Sequence, residues 1–322
     1  MINKILKYAI VLLVFSLLLF FYLTGRGELF SSNKPTGELV NKINWDKQSL
    51  ALIPVAQGNW KPQMNTASYI LMDRDSATIL TERESDRKVP IASTTKIMSA
   101  LVVLENLNLD EEITIPKEIT TVTGSEINLK TGEKIKAGSL LEGMLMQSGN
   151  DCAFALAYGV GSKSGKTNYD EAIKYFVELM NKKAKDLNLP NTTYADPAGL
   201  DQNSQSTASD LAHLATFAMK NETFRQIVAQ KEKDIYSVDG SISHHLKNSN
   251  RLLHEDDIYY SGAIGIKTGF TNEAGHCLVA AAQRGEHVLI SVVLNTFDTT
   301  LTASAIESRK LLSWGFDNFV WK

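Results

Sequence analysis

The chain has 322 residues, 43% hydrophobic and 21% charged, which is enough apolar material for one large globular domain or two. A formal net charge of -3 and a pI near 6.1 supply no broad basic field, so nucleic acid is not an expected partner. Two cysteines, Cys152 and Cys277, are too few for a disulfide framework and lack metal-ligand spacing; two buried free thiols are expected, with a bridge between them left open.

At the amino end Lys4 and Lys7 precede an uncharged stretch from Tyr8 to Leu23. It is longer than a typical signal-peptide core and shorter than the roughly 20 residues of a full span. No Ala-x-Ala-like cleavage site follows, and Lys7 can snorkel to extend the usable length. Residues 1–25 are therefore expected to be a transmembrane helix acting as an uncleaved anchor rather than a cleaved signal, with the lysines inside and the remainder exported. Residues 26–66, rich in Ser, Asn, Lys, Pro and Gly around the apolar island Leu50 to Val55, read as an extracytoplasmic spacer. The folded domain is expected over 67–322.

That domain opens with two apolar runs, Ser68 to Met72 and Ala77 to Leu80, around Asp73-Arg74-Asp75-Ser76, a β-hairpin pattern. Pro90 then predicts an extended residue before it and a buried helix starting near Ala92 or Ser93. On that helix Ser93 and Lys96, at i and i+3, share a face with Oγ and Nζ in reach of each other. A lysine at the start of an apolar helix is costly unless it is neutral part of the time and takes the serine's proton. An isolated Ser-x-x-Lys is more often a capping hydroxyl and a snorkelling lysine, so the rest of the chain must decide.

Ser139-Leu-Leu-Glu142 has the capping-box pattern ahead of an apolar stripe, and a second helix follows from Asp151. Between them Ser148-Gly149-Asn150 is a polar turn wedged among apolar helices, where polar groups need partners or a function. Gly161 to Thr167 resembles a phosphate loop but has the wrong glycine spacing and follows a helix; Lys130-Thr131-Gly132 lies in a charged, turn-like setting. An amphipathic helix is expected from Tyr169 to Leu187, and another capped by Thr207 and carrying His213 as a packed residue. His244 and His245, adjacent, would face opposite sides of a strand. The last third reads as three consecutive antiparallel strands, with Lys267-Thr268-Gly269-Phe270 on the first, followed by a covering helix from Ser304 to Trp314. Gly269 beside a cation and a hydroxyl would let an extended peptide lie along that strand's edge. No zinc motif or Gly-x-Ser-x-Gly elbow is present, and neither metal nor cofactor is expected.

Ser-x-x-Lys, Ser-x-Asn and Lys-Thr-Gly occur in the order shared by penicillin-binding proteins and class A β-lactamases. Together with Asp196-Pro-Ala-Gly-Leu200, Ser206 to Leu211 and Arg309 to Gly315, they make the chain resemble the serine D-alanyl-D-alanine carboxypeptidases of the low-molecular-mass penicillin-binding proteins. The likeness runs from about Tyr69 to Phe319. It implies an α/β fold (α+β by strand order): an antiparallel sheet flanked by helices, plus a mainly helical lobe, with the site in the cleft between them.

The resemblance implies roles as well. Ser93 would attack the D-Ala-D-Ala carbonyl, with Lys96 as base, kept neutral by burial and the nearby Lys267. Ser148 would relay a proton to the leaving D-alanine, and Asn150 would orient Lys96 and the substrate amide. Lys267 and Thr268 would hold the substrate carboxylate and Gly269 would let it approach. The N–H groups of Ser93 and Phe270 would form an oxyanion hole worth roughly 3 kcal/mol per donor. The implied partners are a peptidoglycan stem peptide ending in D-Ala-D-Ala, β-lactams as inhibitors, and the membrane through the N-terminal segment. The site would work on the extracytoplasmic side of the cell membrane. Relatives commonly carry a carboxylate-gripping arginine between the last strand and last helix; residues 299–306 have none, and Arg251 is the candidate substitute. Other expected readings are a DD-endopeptidase, a β-lactamase or a non-catalytic penicillin sensor.

Overall fold

In the computed structural model the described residues are 51–58 and 61–322. In chain order they form β1 (Pro54–Ala56), β2 (Thr66–Asp73), β3 (Ile79–Arg83) and β4 (Val89–Pro90). A 3-10 turn (Ala92–Thr95) follows, and then α1 (Lys96–Asn106), β5 (Glu112–Thr114), β6 (Lys134–Lys136), α2 (Ala137–Met146), α3 (Asn150–Lys163) and α4 (Tyr169–Asp186). Next come β7 (Gln205–Ser206), α5 (Ala208–Ala218), α6 (Glu222–Val228), β8 (Glu232–Tyr236) and β9 (Ser243–Lys247). The chain closes with β10 (Ala263–Thr271), β11 (Gly275–Arg284), β12 (His287–Thr296), α7 (Ala303–Asn318) and β13 (Phe319–Trp321).

The central sheet is antiparallel with strand order β10-β11-β12-β2-β3, so β10 is an edge. Its middle strands are covered on both faces, which is why they read as near-continuous apolar runs rather than as an alternation. The two-residue period is visible in the packing all the same. Ile70, Met72, Val279, Ala281, Ile290 and Val292 point into the core shared with the helical lobe. Tyr69, Leu71, Leu278, Ala280, Leu289 and Val293 point into a second core under α7. The helical lobe is built from α1 to α4, with α1 buried along nearly its whole length. This is the expected architecture, an antiparallel sheet flanked by helices with a helical lobe beside it.

Several local readings hold. Thr207 caps α5, its hydroxyl accepting from the Asp210 N–H at 3.0 Å. His244 is buried and His245 exposed on β9, and both cysteines are free and buried. Others need correcting. Ser139 does not cap α2: Lys136 stands at the cap without a side-chain hydrogen bond, because β6 runs directly into the helix and Ser139 falls in its first turn. His213 is exposed on α5 rather than packed. Residues 54–56, in the stretch read as spacer, pair with β13, and the compact unit begins at Ala51. The expected transmembrane helix is also corrected: among the described residues no helix is long and apolar enough to cross a membrane. The stretch for which it was expected, 8–23, lies outside the described residues.

Candidate active site

The 3-10 turn that carries Ser93 is pressed between two glycines. A Cβ on Gly199 would lie 1.9 Å from the Ala92 carbonyl oxygen, and Gly199 has φ +79°, a conformation that costs glycine nothing. A Cβ on Gly269 would come within 3.1 Å of both the Ile91 oxygen and the Ser93 nitrogen. The free edge of β10 therefore runs directly beside the serine's own N–H. The turn places Ser93 three residues before Lys96, the first residue of α1, so the serine sits on the 3-10 turn and not on the helix expected to carry both.

Lys96 is fully buried. Its Nζ lies 2.8 Å from Ser93 Oγ, 2.7 Å from Asn150 Oδ1 and 2.8 Å from the Ala198 carbonyl. Two of these partners can only accept. A neutral amine satisfies both with its two hydrogens and turns its lone pair to the one partner able to donate, the Ser93 hydroxyl. Burial lowers the Lys96 ammonium from its ordinary value to about 7, while Asp196, Cys152 and Asp151 push the other way. Lys267 is likewise held well below the ordinary lysine range, by its burial and then by the charge of Lys96; that repulsion is mutual, so a cation at Lys267 works in the same direction as burial at Lys96. Burial is the leading cause that brings the neutral form of Lys96 within reach near neutral pH.

Asn150 opens α3, and its amide donates to the Thr123 carbonyl at 2.7 Å while its oxygen receives Lys96. Ser148 sits at φ +67° in the turn before it, and no hydrogen bond from its hydroxyl is found among the described residues. Lys267 Nζ donates to the Thr268 carbonyl at 3.0 Å, and Thr268 Oγ1 lies 2.7 Å from Ser249 Oγ.

Ser93, Ser148, Asn150, Thr268, Gly269 and Phe270 all line one cleft of about 430 Å³, with Lys96 and Lys267 buried beneath its walls. The sequence reading missed Ser249, Gly124, Ser125 and His276, which also line it. None of them carries a signal in the sequence, since each arrives from a loop or strand end through tertiary packing. Phe270 stacks on His276 with centroids 4.3 Å apart, and Arg251 lies on the wall paired to Glu255 at 2.7 Å. A larger groove of about 750 Å³ runs along α4 and holds none of these residues; apolar side chains such as Phe154, Ile173 and Val177 line it together with the charged Asp170, Glu178 and three lysines. Chemically, the cleft joins a hydroxyl to an amine able to take its proton, beside a strand edge able to pair with an extended peptide.

Residues 55–298 match the family model described as D-alanyl-D-alanine carboxypeptidase. The chain belongs to the D-alanyl-D-alanine carboxypeptidase family. This serine-type DD-peptidase is 37% identical to a D-alanyl-D-alanine carboxypeptidase of Streptomyces sp. strain K15 over 80% of its own length and 89% of the relative's. It is 33% identical to a D-alanyl-D-alanine endopeptidase of Pseudomonas aeruginosa, covering 79% of each chain. The crystal structure of the Streptomyces K15 DD-transpeptidase superposes with a TM-score of 0.75 at 37% identity, covering 80% of the DD-peptidase and all of that chain. The DD-peptidase spans only 62% of the length of the Bacillus subtilis carboxypeptidase DacF and 63% of that of the Escherichia coli carboxypeptidase DacC.

Proposed function

We propose that the chain is a serine DD-carboxypeptidase that removes the terminal D-alanine from peptidoglycan stem pentapeptides on the extracytoplasmic side of the cell membrane. The observation that carries this reading is the contact of a fully buried Lys96 with Ser93 Oγ at 2.8 Å. Ser93 Oγ attacks the D-Ala-D-Ala carbonyl as its proton passes to Lys96. The N–H groups of Ser93 and Phe270 stabilise the oxyanion. Ser148 passes a proton to the departing amine, Asn150 steadies Lys96 and the substrate amide, and water then releases the acyl-enzyme. The substrate backbone lies along β10 beside Gly269, with its carboxylate toward Lys267 and Thr268. When that carboxylate arrives, its charge favours the protonated form of Lys267 that burial otherwise disfavours. β-lactams acylate Ser93 in the same geometry.

A DD-endopeptidase reading is favoured by one feature. Residues 299–306 carry no arginine, and the cleft there is lined by Leu301, an exposed apolar side chain. A cross-linked substrate, whose leaving residue is larger than D-alanine, would be served by such an apolar lip. The deciding assay offers a D-Ala-D-Ala-ended muropeptide and a cross-linked dimer to the parent and to Ser93→Ala. Carboxypeptidase action predicts free D-alanine from the parent alone, with the cross-link cut at least tenfold more slowly. Equal D-alanine release by Ser93→Ala would refute the assignment.

A further inference from the structure

The walls of the cleft are tied together behind the site by a buried histidine that the proposed reaction does not use. His244, on β9, is about 6% exposed. Its Nδ1 lies 2.9 Å from the Ile127 carbonyl oxygen and its Nε2 lies 2.8 Å from Glu133 Oε1. The other Glu133 oxygen accepts from the Lys130 N–H at 3.0 Å, and the carboxylate is buried.

Both ring nitrogens thus face oxygens, one of which can only accept. A neutral imidazole has one donor and one acceptor nitrogen, so beside an ionised Glu133 one of its two contacts would set acceptor against acceptor. The geometry is satisfied only when the His244–Glu133 pair holds one more proton than neutral imidazole plus carboxylate. That proton lies at Nε2 or on Oε1, and Nδ1–H donates to Ile127 in either case. Unsatisfied buried polar groups are costly, so losing the proton loosens whichever contact is left unmade.

The segment held in this way forms a wall of the site. Thr123 accepts from the Asn150 side chain at 2.7 Å, Ser125 accepts from the Asn150 N–H at 2.7 Å, and Gly124 and Ser125 line the cleft. Asp151 anchors the same segment through the Ile127 and Leu129 N–H groups. Past His244, β9 runs into Ser249 and Arg251 on the opposite wall. Other charged groups on the elements packed around β9 are paired or turned away. Lys233 of β8 pairs with Glu142 of α2, and His245 pairs with Asp234 on the outer face. Glu232 and Lys247 are exposed there as well. Cys152, beside Asp151, is buried with its thiol pushed well up by that burial.

We propose that His244 is a positioning residue whose shared proton with Glu133 holds the 123–129 wall, and with it Asn150, in register with Lys96. The activity arm of its test rests on the DD-peptidase reading, whereas the spectroscopic arm does not. The discriminating variant is Glu133→Gln, because a glutamine amide donates to Nε2 of a neutral imidazole and still accepts from Lys130. Every contact then survives without the extra proton.

Acylation of Ser93 by a fluorescent penicillin, followed against pH, should fall on the alkaline side in the parent as the pair loses its proton. In Glu133→Gln that fall should shift or vanish, with the rate at neutral pH kept within about threefold. Any alkaline limb due to Lys267 is common to both proteins, so the difference between profiles is the readout. His244→Ala should lose roughly tenfold or more in acylation rate at every pH. In ¹⁵N-labelled protein the His244 ring signals should move with pH in the parent and stay fixed in Glu133→Gln. Superimposable pH profiles, a pH-invariant His244 ring in the parent, or a Glu133→Gln variant that does not fold would each overturn the proposal. A parent that penicillin does not acylate would instead sink the Ser93 reading, leaving the ring titration to decide the proton count.

Discussion

Lys96 concentrates the chemistry because one side chain meets three polar partners inside an apolar lobe. Its lowered value of about 7 makes the neutral form available near neutral pH, so acylation of Ser93 should rise as pH climbs through about 7, ahead of the alkaline fall assigned to the His244–Glu133 pair. Stopped-flow acylation by a penicillin across pH 5–9 reads this directly; a flat profile would remove Lys96 as base. The same shift has a stability consequence whose sign can be worked out. Between about 7 and the ordinary value of 10.5 the folded chain binds fewer protons than the unfolded chain. Stability contributed by Lys96 therefore rises with pH through that window, and below it the buried charge counts fully against the fold. Lys96→Met should accordingly abolish acylation yet melt higher than the parent at pH 6, by up to about 2–4 kcal/mol of stability. Calorimetry of the two proteins at pH 6 and pH 9 measures it, with the gap expected to narrow at the higher pH. The Ser93 and Lys96 pair was legible in the sequence because i and i+3 also meet across a 3-10 turn that leads into a helix. The Ala198 carbonyl was not, since it reaches Lys96 from 102 positions away.

At the level of elements, the 3-10 turn depends on the two glycines that flank it. Gly199→Ala adds a Cβ where a carbonyl oxygen already stands and forces φ +79° on a residue that disfavours it. It should slow acylation at least tenfold and lower Tm. Gly269→Ala, with contacts at 3.1 Å, should cost less stability while still pushing β10 from the serine. Penicillin labelling beside thermal melts separates the two effects, and equal losses in both variants would contradict the geometry. Thr207→Ala removes a cap remote from the cleft and should cost about 1 kcal/mol in denaturant midpoint without altering acylation. Helix caps were read correctly where the hydroxyl stands before the helix, as at Thr207. They were misread at Ser139, where the strand β6 enters α2 with no intervening loop. A four-residue pattern cannot register that, because the start of α2 is set by the pairing of β6 with β5.

Across the molecule, β1 and β13 bring the two ends of the described chain together, with Pro54 opposite Trp321 and Ala56 opposite Phe319. Nearby, the Asn65 N–H donates to Glu307 on α7 at 2.7 Å. A protein beginning at residue 67 should therefore melt several degrees below one beginning at Ala51, while keeping its cleft; differential scanning calorimetry of the two lengths tests it. Sequence by itself determined the Ser93–Lys96 spacing and the buried helix that follows it, the polar turn at 148–150, the β10 motif and the antiparallel strands that follow, because each depends on periodicity, turn chemistry or the family's ordered motifs. Only the tertiary structure decided that these meet in one cleft. It also decided that Lys96 and Lys267 are both buried beneath that cleft, and that His244 sits between two oxygens behind its wall. Those outcomes depend on desolvation and on hydrogen bonds between residues distant in the chain, which no local pattern encodes.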